Sequence, residues 1–199
     1  MKRIVGILLA AGSSRRFGSD KRLHPLADGT PMALASARRL AHVCHRTIVV
    51  IRSGDTELAS LLTKELVECV VCKEADQGMG RSLSCGIAAS ADADGWLVAL
   101  ADMPYIAAAS YQAVLGSLQD GAKLARPMYN GQLGHPVGFS SRYLPQLLAL
   151  TDDKGGKPIL DAYQADICYS TVDDSGVITD IDQRSRESEF AESVSFPLP

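Results

Sequence analysis

Four short apolar runs, separated by segments of helical periodicity, constrain this fold more than any other feature. Residues 4–10, 47–52, 67–72 and 96–101 are short, dense in aliphatic side chains and mostly without polar alternation, as expected of strands covered on both faces. Between the first two, Thr30-Pro31 reads as an N-cap followed by proline at the first helical position, opening a helix to about Val43. Asp55 reads as the cap of a helix with Leu58, Leu61 and Leu62 on one face. A third helix is expected from Ser82 to about Ala91, with Leu83 and Ile87 inward, and a fourth carries Tyr111, Val114, Leu115 and Leu118 at helical spacing. Strands that alternate with helices form parallel sheets. The expectation is an α/β, Rossmann-like, doubly wound and mostly parallel sheet.

After Ala122 the rhythm changes. Residues 123–127 and 135–139 read as strands around an Asn130-Gly131 turn, a small antiparallel insertion. Leu144, Leu147 and Leu148 mark a helix, residues 159–163 a short one, and residues 167–172 and 177–180 two closing strands. No repeat or linker interrupts the chain, so residues 1–199 are expected to form a single domain.

Composition removes several classes of function. The 199 residues are 46% apolar with a net charge of −3 and no basic block, which argues against a nucleic-acid partner. No apolar run is long enough for a membrane span. The start, Met1-Lys2-Arg3 and then an apolar run, superficially resembles a signal peptide, but the run ends in a turn bearing Arg15, Arg16 and Lys21. It reads as a first strand, and a cytoplasmic location is expected. Five cysteines, at 44, 69, 72, 85 and 168, are odd in number and irregularly spaced, which argues against a disulfide framework. Cys69 and Cys72 have zinc or redox spacing, yet residues three apart on a strand point to opposite faces, so the pair reads as structural.

Four segments carry the chemistry. The first strand runs into Leu9-Ala10-Ala11-Gly12-Ser13-Ser14-Arg15-Arg16-Phe17-Gly18-Ser19-Asp20-Lys21. Small side chains let backbone N–H groups approach an anion, and nearby cations offset its charge, a combination suited to a polyphosphate. The spacing is neither that of a P-loop nor that of a dinucleotide fingerprint. Gln77-Gly78-Met79-Gly80-Arg81-Ser82-Leu83-Ser84-Cys85-Gly86 opens a helix, where unpaired N–H groups favour anions or a base edge, although the glycines could serve packing alone. Asp102, in Leu100-Ala101-Asp102-Met103-Pro104, stands at the tip of a buried strand. That position suits a Mg²⁺ ligand, or otherwise a helix cap. In Thr179-Asp180-Ile181-Asp182 an extended chain would turn both carboxylates the same way.

The pattern Leu-Ala-Ala-Gly-x-Ser-x-Arg-x-Gly-x-x-Lys at residues 9–21 resembles the signature loop of the molybdenum-cofactor-type nucleotidyltransferases, which move a nucleoside monophosphate from a nucleoside triphosphate. Ala101-Asp102-Met103-Pro104, Asp180-Ile181-Asp182 and Gly131-Gln132-Leu133-Gly134-His135-Pro136-Val137-Gly138-Phe139 follow in the family's order, over roughly residues 4–182. Gly-x-Gly-x-Ser-Leu-x-x-Gly at residues 78–86 resembles the segment of the cytidylyltransferases. The guanylyltransferases carry Gly-Pro-Leu-Ala-Gly there.

The resemblance implies a nucleotide-diphospho-sugar transferase-like fold. It implies transfer of CMP from CTP to the terminal phosphate of molybdopterin with release of pyrophosphate. Arg16, Lys21 and Asp102 would be catalytic. Leu9, Ala10, Ala11, Gly12, Arg16, Lys21, Gly80, Ser82 and Leu83 would bind nucleotide, and Asp102 and Asp182 would hold Mg²⁺. His135 and Pro136 would meet the acceptor, although a histidine beside a proline is as readily a turn residue. Asp153-Lys154-Gly155-Gly156 would shape the acceptor pocket. A molybdoenzyme or its insertion chaperone would be a partner. The family's Asp-Ile-Asp-Thr-Pro becomes Asp-Ile-Asp-Gln-Arg here, a departure at the anchoring of that segment. Three alternatives stay open: a guanylyltransferase of the same fold, a nucleotidyltransferase for another small phosphorylated acceptor, and a silent nucleotide- or cofactor-binding module.

Overall fold

The computed structural model describes residues 1–12 and 20–181. The strands are β1 (Ile4–Leu9), β2 (Thr47–Arg52), β3 (Glu68–Cys72), β4 (Gly95–Leu100), β5 (Leu124–Tyr129), β6 (Gln132–Leu133), β7 (Val137–Ser140) and β8 (Ile167–Thr171). The helices are α1 (Met32–Val43), α2 (Thr56–Leu62), α3 (Met79–Ala88), α4 (Ala108–Gln119), α5 (Leu144–Leu148) and α6 (Lys157–Ala162). They form the expected mixed α/β architecture. The sheet order is β3-β2-β1-β4-β7-β5-β6, with β8 against β5. Strands β1 to β4 run parallel, and β5 runs parallel to β8. β7 is wedged antiparallel between β4 and β5. The hairpin from β5 to β6 turns at Asn130 and Gly131, both with positive φ, as the Asn-Gly pair requires.

Alternate residues of the central strands feed two cores. Leu8, Val49, Leu97 and Ala99 pack with Leu40, Leu58 and Val114 of α1, α2 and α4 on one face. Ile7, Ile48, Val50, Trp96 and Val98 pack with Leu83, Ile87, Leu147 and Ile159 of α3, α5 and α6 on the other. A Cβ at Gly86 would lie 2.9 Å from methyl groups of Ile7 and Val50, so its missing side chain is what seats α3 on β1 and β2. The strand order reverses beside β1. β2 and β3 extend the sheet one way, and β4 returns on the other side. That is the place where open α/β sheets bind ligands, at the strands' C-terminal ends.

Three local expectations are corrected. Thr30 does not cap α1. Its carbonyl accepts from the Leu26 N–H and its own N–H donates to Asp28, while Pro31 takes the cap position without a side-chain bond. Helix α3 begins three residues before Ser82, because Gly78, at φ 131°, turns the chain directly into it. Residues 177–180 do not form a strand. Ser175–Ile178 is a 3-10 turn capped by Asp174, whose carboxylate accepts from the Gly176 N–H at 2.9 Å.

Replacing Gly86 by valine is expected to destabilise the protein by about 2 kcal/mol, because β1 and β2 would have to give way. A urea midpoint equal to that of the unaltered chain would show that the close approach is not required.

Candidate functional site

A cleft of about 730 Å³ opens over the C-terminal ends of β1 and β4. Its floor is Leu9, Ala10, Ala11 and Gly12 from β1 and Leu100, Ala101 and Asp102 from β4. These two strand ends are locked together, since Leu9 pairs with Leu100 and the Ala101 N–H donates to the Leu9 carbonyl at 3.2 Å. Lys21 enters from the far limb of the signature loop, on a 3-10 turn at Lys21–Leu23, and its Nζ donates to Asp102 Oδ2 at 2.8 Å. One cation from the loop and one carboxylate from the strand tip therefore meet on the cleft floor. Arg52 and Lys73 add positive charge to the wall, and Asp76 and Asp153 add negative charge.

The two described ends of the loop, at Ala10 and at Asp20, are tied together by Arg22, which the sequence reading did not single out. Its guanidinium is buried and donates to the Ala10 carbonyl at 2.6 Å. It also donates to Asp20 from Nε at 2.8 Å and from Nη2 at 2.5 Å. Asp55 receives Nη2 at 2.7 Å and Nη1 as well. Asp55, expected as a helix cap, spends its side chain here instead, and it also accepts from the Arg52 backbone N–H at 3.0 Å. Burial alone would push the Arg22 guanidinium down, but its hydrogen bonds with Asp20 and Asp55 hold it above its ordinary range. Asp20 is held below the usual carboxylate range, chiefly by its hydrogen bonds from the Arg22 side chain. Burial would raise Asp55, yet Arg22 and Arg52 bring it down. The carboxylate two residues before Arg22 in a basic loop was the available signal, whereas the partner at Asp55 comes only from folding.

The other expected residues fall in different places. Ser82 lines the cleft with Gly78 and Met79. Gly80 and Leu83 do not. The Gly80 N–H donates to the Asp152 carbonyl at 2.7 Å, a contact a side chain at Gly80 would block, and Leu83 is buried in the core beneath α3. That Gly80 bond holds the segment before Asp153 against α3, and Asp153 itself reaches the cleft.

His135 and Pro136 stand outside the cleft lining. The His135 Nδ1 is buried with no partner among the described residues. Burial, with Arg126 adding to it, pushes the imidazole down to about 4, so it is neutral at ordinary pH. Arg16 and Asp182 lie outside the described residues, as do Ser13, Ser14, Arg15 and Ser19. The chain is nevertheless led to Asp102 on the way to Asp182, since the Ile181 N–H donates to the Asp102 carbonyl at 2.9 Å. Among the described residues, no helix is long and apolar enough to cross a membrane.

Residues 6–167 match the MobA-like NTP transferase domain. The chain belongs to that family. It is 30% identical to the purine catabolism protein PucB of Bacillus subtilis (strain 168), with 90% of this chain and 91% of the relative covered. It is 26% identical to the nicotine blue oxidoreductase of Paenarthrobacter nicotinovorans, with 79% and 81% covered. Among solved structures, Rv0371c from Mycobacterium tuberculosis H37Rv superposes with a TM-score of 0.84 at 23% identity, covering 96% of this chain and 98% of that one. A complex of Rv0371c with manganese is also known, with a TM-score of 0.79.

Arg22→Met should cost about 3 kcal/mol of stability, because Asp20 and Asp55 would keep their charges with only the part-exposed Arg52 as a cationic partner. Arg22→Lys should recover only part of it, since a single ammonium cannot fork to both carboxylates. An unchanged denaturation midpoint for Arg22→Met would rule out the clamp. For His135, the unfolded chain takes up a proton near 6.5 and the folded chain near 4. The stability held above pH 6.5 is therefore lost as pH falls towards 4, by about 2–3 kcal/mol after allowance for the ring's partial exposure. Urea titrations across that window should show a shallower loss in His135→Gln.

Proposed function

We propose that residues 1–199 act as one nucleotidyltransferase domain that moves CMP from CTP to the terminal phosphate of a molybdopterin-type acceptor, releasing pyrophosphate. The meeting of Lys21 and Asp102 on a floor of backbone from residues 9–12, at the switch point of the sheet, carries this reading. An acceptor phosphate is already ionised and needs little help from a base, so the protein's part is to position the reactants and offset charge. In this reading the amides of Ala11 and Gly12 cradle the triphosphate. Lys21 and Arg16 offset the charge that builds on it as pyrophosphate departs. The charged cleft walls suit a polyphosphate. Although one relative is named an oxidoreductase, the glycine spacing of a dinucleotide fingerprint is absent from residues 9–21.

A divalent cation, Mg²⁺ by expectation, fits the oxygen donors present. The Asp102 carboxylate is part-exposed in the cleft and is paired to a lysine that phosphate oxygens could draw away. Asp102 and Asp182 would hold the ion, and Ile181's bond to the Asp102 carbonyl supports that pairing. Once bound, such an ion supplies charge neutralisation for the phosphates.

CTP is favoured over GTP by the resemblance of residues 78–86 to the cytidylyltransferase segment, of which Ser82 reaches the cleft. Pyrophosphate release by the purified protein with Mg²⁺ and molybdopterin should be faster with CTP than with GTP. Release with GTP alone would keep the chemistry and overturn the choice of base. Nucleotide binding without release would point to another acceptor or to a silent module. Lys21→Ala is expected to lower turnover by roughly 10²-fold or more, with the urea midpoint little changed. Full activity in a folded Lys21→Ala protein would remove Lys21 from the chemistry.

A further inference from the structure

Cys72 and Cys85 are thirteen positions apart in the chain, yet their Sγ atoms and a carboxylate oxygen of Glu74 all lie within 4.8 Å of one another. Cys72 ends β3 and faces the core under α3, whereas Cys69, three residues earlier, packs on the opposite side of the sheet. The strand spacing that suggested a Cys69–Cys72 pair is therefore broken by the pleat. In its place the helix brings Cys85 to Cys72, and the Cys72 thiol donates to the carbonyl of Arg81, one helical turn before Cys85. The seat that Gly86 provides for α3 is what brings the two sulfurs together.

We propose that Cys72, Cys85 and Glu74 form a binding site for a zinc-like, thiophilic divalent cation. In a tetrahedral Zn²⁺ site, bonds of about 2.3 Å to sulfur place two thiolates about 3.8 Å apart, with a carboxylate oxygen slightly nearer to each. From within 4.8 Å, each pair of ligand atoms has little more than about 1 Å to close to reach that spacing. A fourth position is left for water. The Glu74 carboxylate accepts no hydrogen bond and makes no ion pair among the described residues, so it is available as a ligand.

Charge also balances. Two thiols release their protons to solvent as the metal binds, giving two thiolates and one carboxylate against a dication. The remaining negative charge faces Arg81, which is near enough to act on Cys85 and whose Nε is buried without a partner among the described residues. A disulfide would leave Glu74 without a role.

Co²⁺ added to the reduced, full-length protein tests the site directly. The expected result is one equivalent bound per chain, with a near-ultraviolet thiolate-to-cobalt charge-transfer band that Zn²⁺ abolishes on displacing the cobalt. The band should vanish in Cys85→Ser, a part-exposed position that should fold as judged by circular dichroism. It should persist in Cys69→Ser and Cys168→Ser. Glu74→Gln should weaken Zn²⁺ retention against a chromophoric chelator roughly tenfold or more. No cobalt band, or a band indifferent to Cys85→Ser, would overturn the proposal. So would a Cys72–Cys85 disulfide formed with oxidised glutathione by a protein that shows no cobalt band when reduced.

Discussion

The fold's active end depends on one buried guanidinium. Arg22, almost wholly buried at the edge of the cleft, donates to the backbone that ends β1, to Asp20 in its own loop and to Asp55 just before α2. A cation buried this deeply is tolerated only when its donors are matched, and Arg22 meets two carboxylates and one carbonyl. The clamp joins three segments that the sheet itself leaves separate: the end of β1, the returning limb of the signature loop, and the β2–α2 connection. Lys21 is the residue before Arg22. Its reach to Asp102 follows from where the clamp sets the loop down.

The other half of the cleft rests on backbone. Parallel pairing of β1 with β4 places the chain after Leu9 beside the chain after Leu100, so residues 10–12 and Asp102 become neighbours. The antiparallel β7 then lines the far side of β4, and the carboxy-terminal segment returns to Asp102 through Ile181. Asp174 steadies that return. Its carboxylate accepts from the Ala107 N–H at 2.8 Å and the Ser110 hydroxyl at 2.6 Å, tying the turn before Ile181 to the start of α4. Charge at the cleft floor is concentrated in a lysine–aspartate pair that a polyphosphate and a dication could divide between them.

The central strands were legible because each is an unbroken apolar run, and burial on both faces admits little else. The signature loop and Asp102 were legible because small residues, cations and a strand-tip acid occur at fixed spacing. What escaped was set by tertiary contact. Arg22 has one partner two residues away and another thirty-three away, and only the first is a sequence signal. Thr30 reads as a cap, but its backbone is taken by the Leu26–Thr30 turn. Gly80 reads as a nucleotide-binding glycine, whereas its N–H is taken by the closely approaching Asp152 carbonyl. Cys85 carried no pattern at all, because its relation to Cys72 exists only once α3 lies on the sheet.

A crystal structure of the protein with CTP and Mg²⁺ tests the central claim most directly. The account predicts the triphosphate over residues 9–12, the Lys21–Asp102 pair opened, Lys21 on a phosphate oxygen and Asp102 on the metal. Nucleotide bound elsewhere, or bound in the cleft with that pair intact, would contradict it.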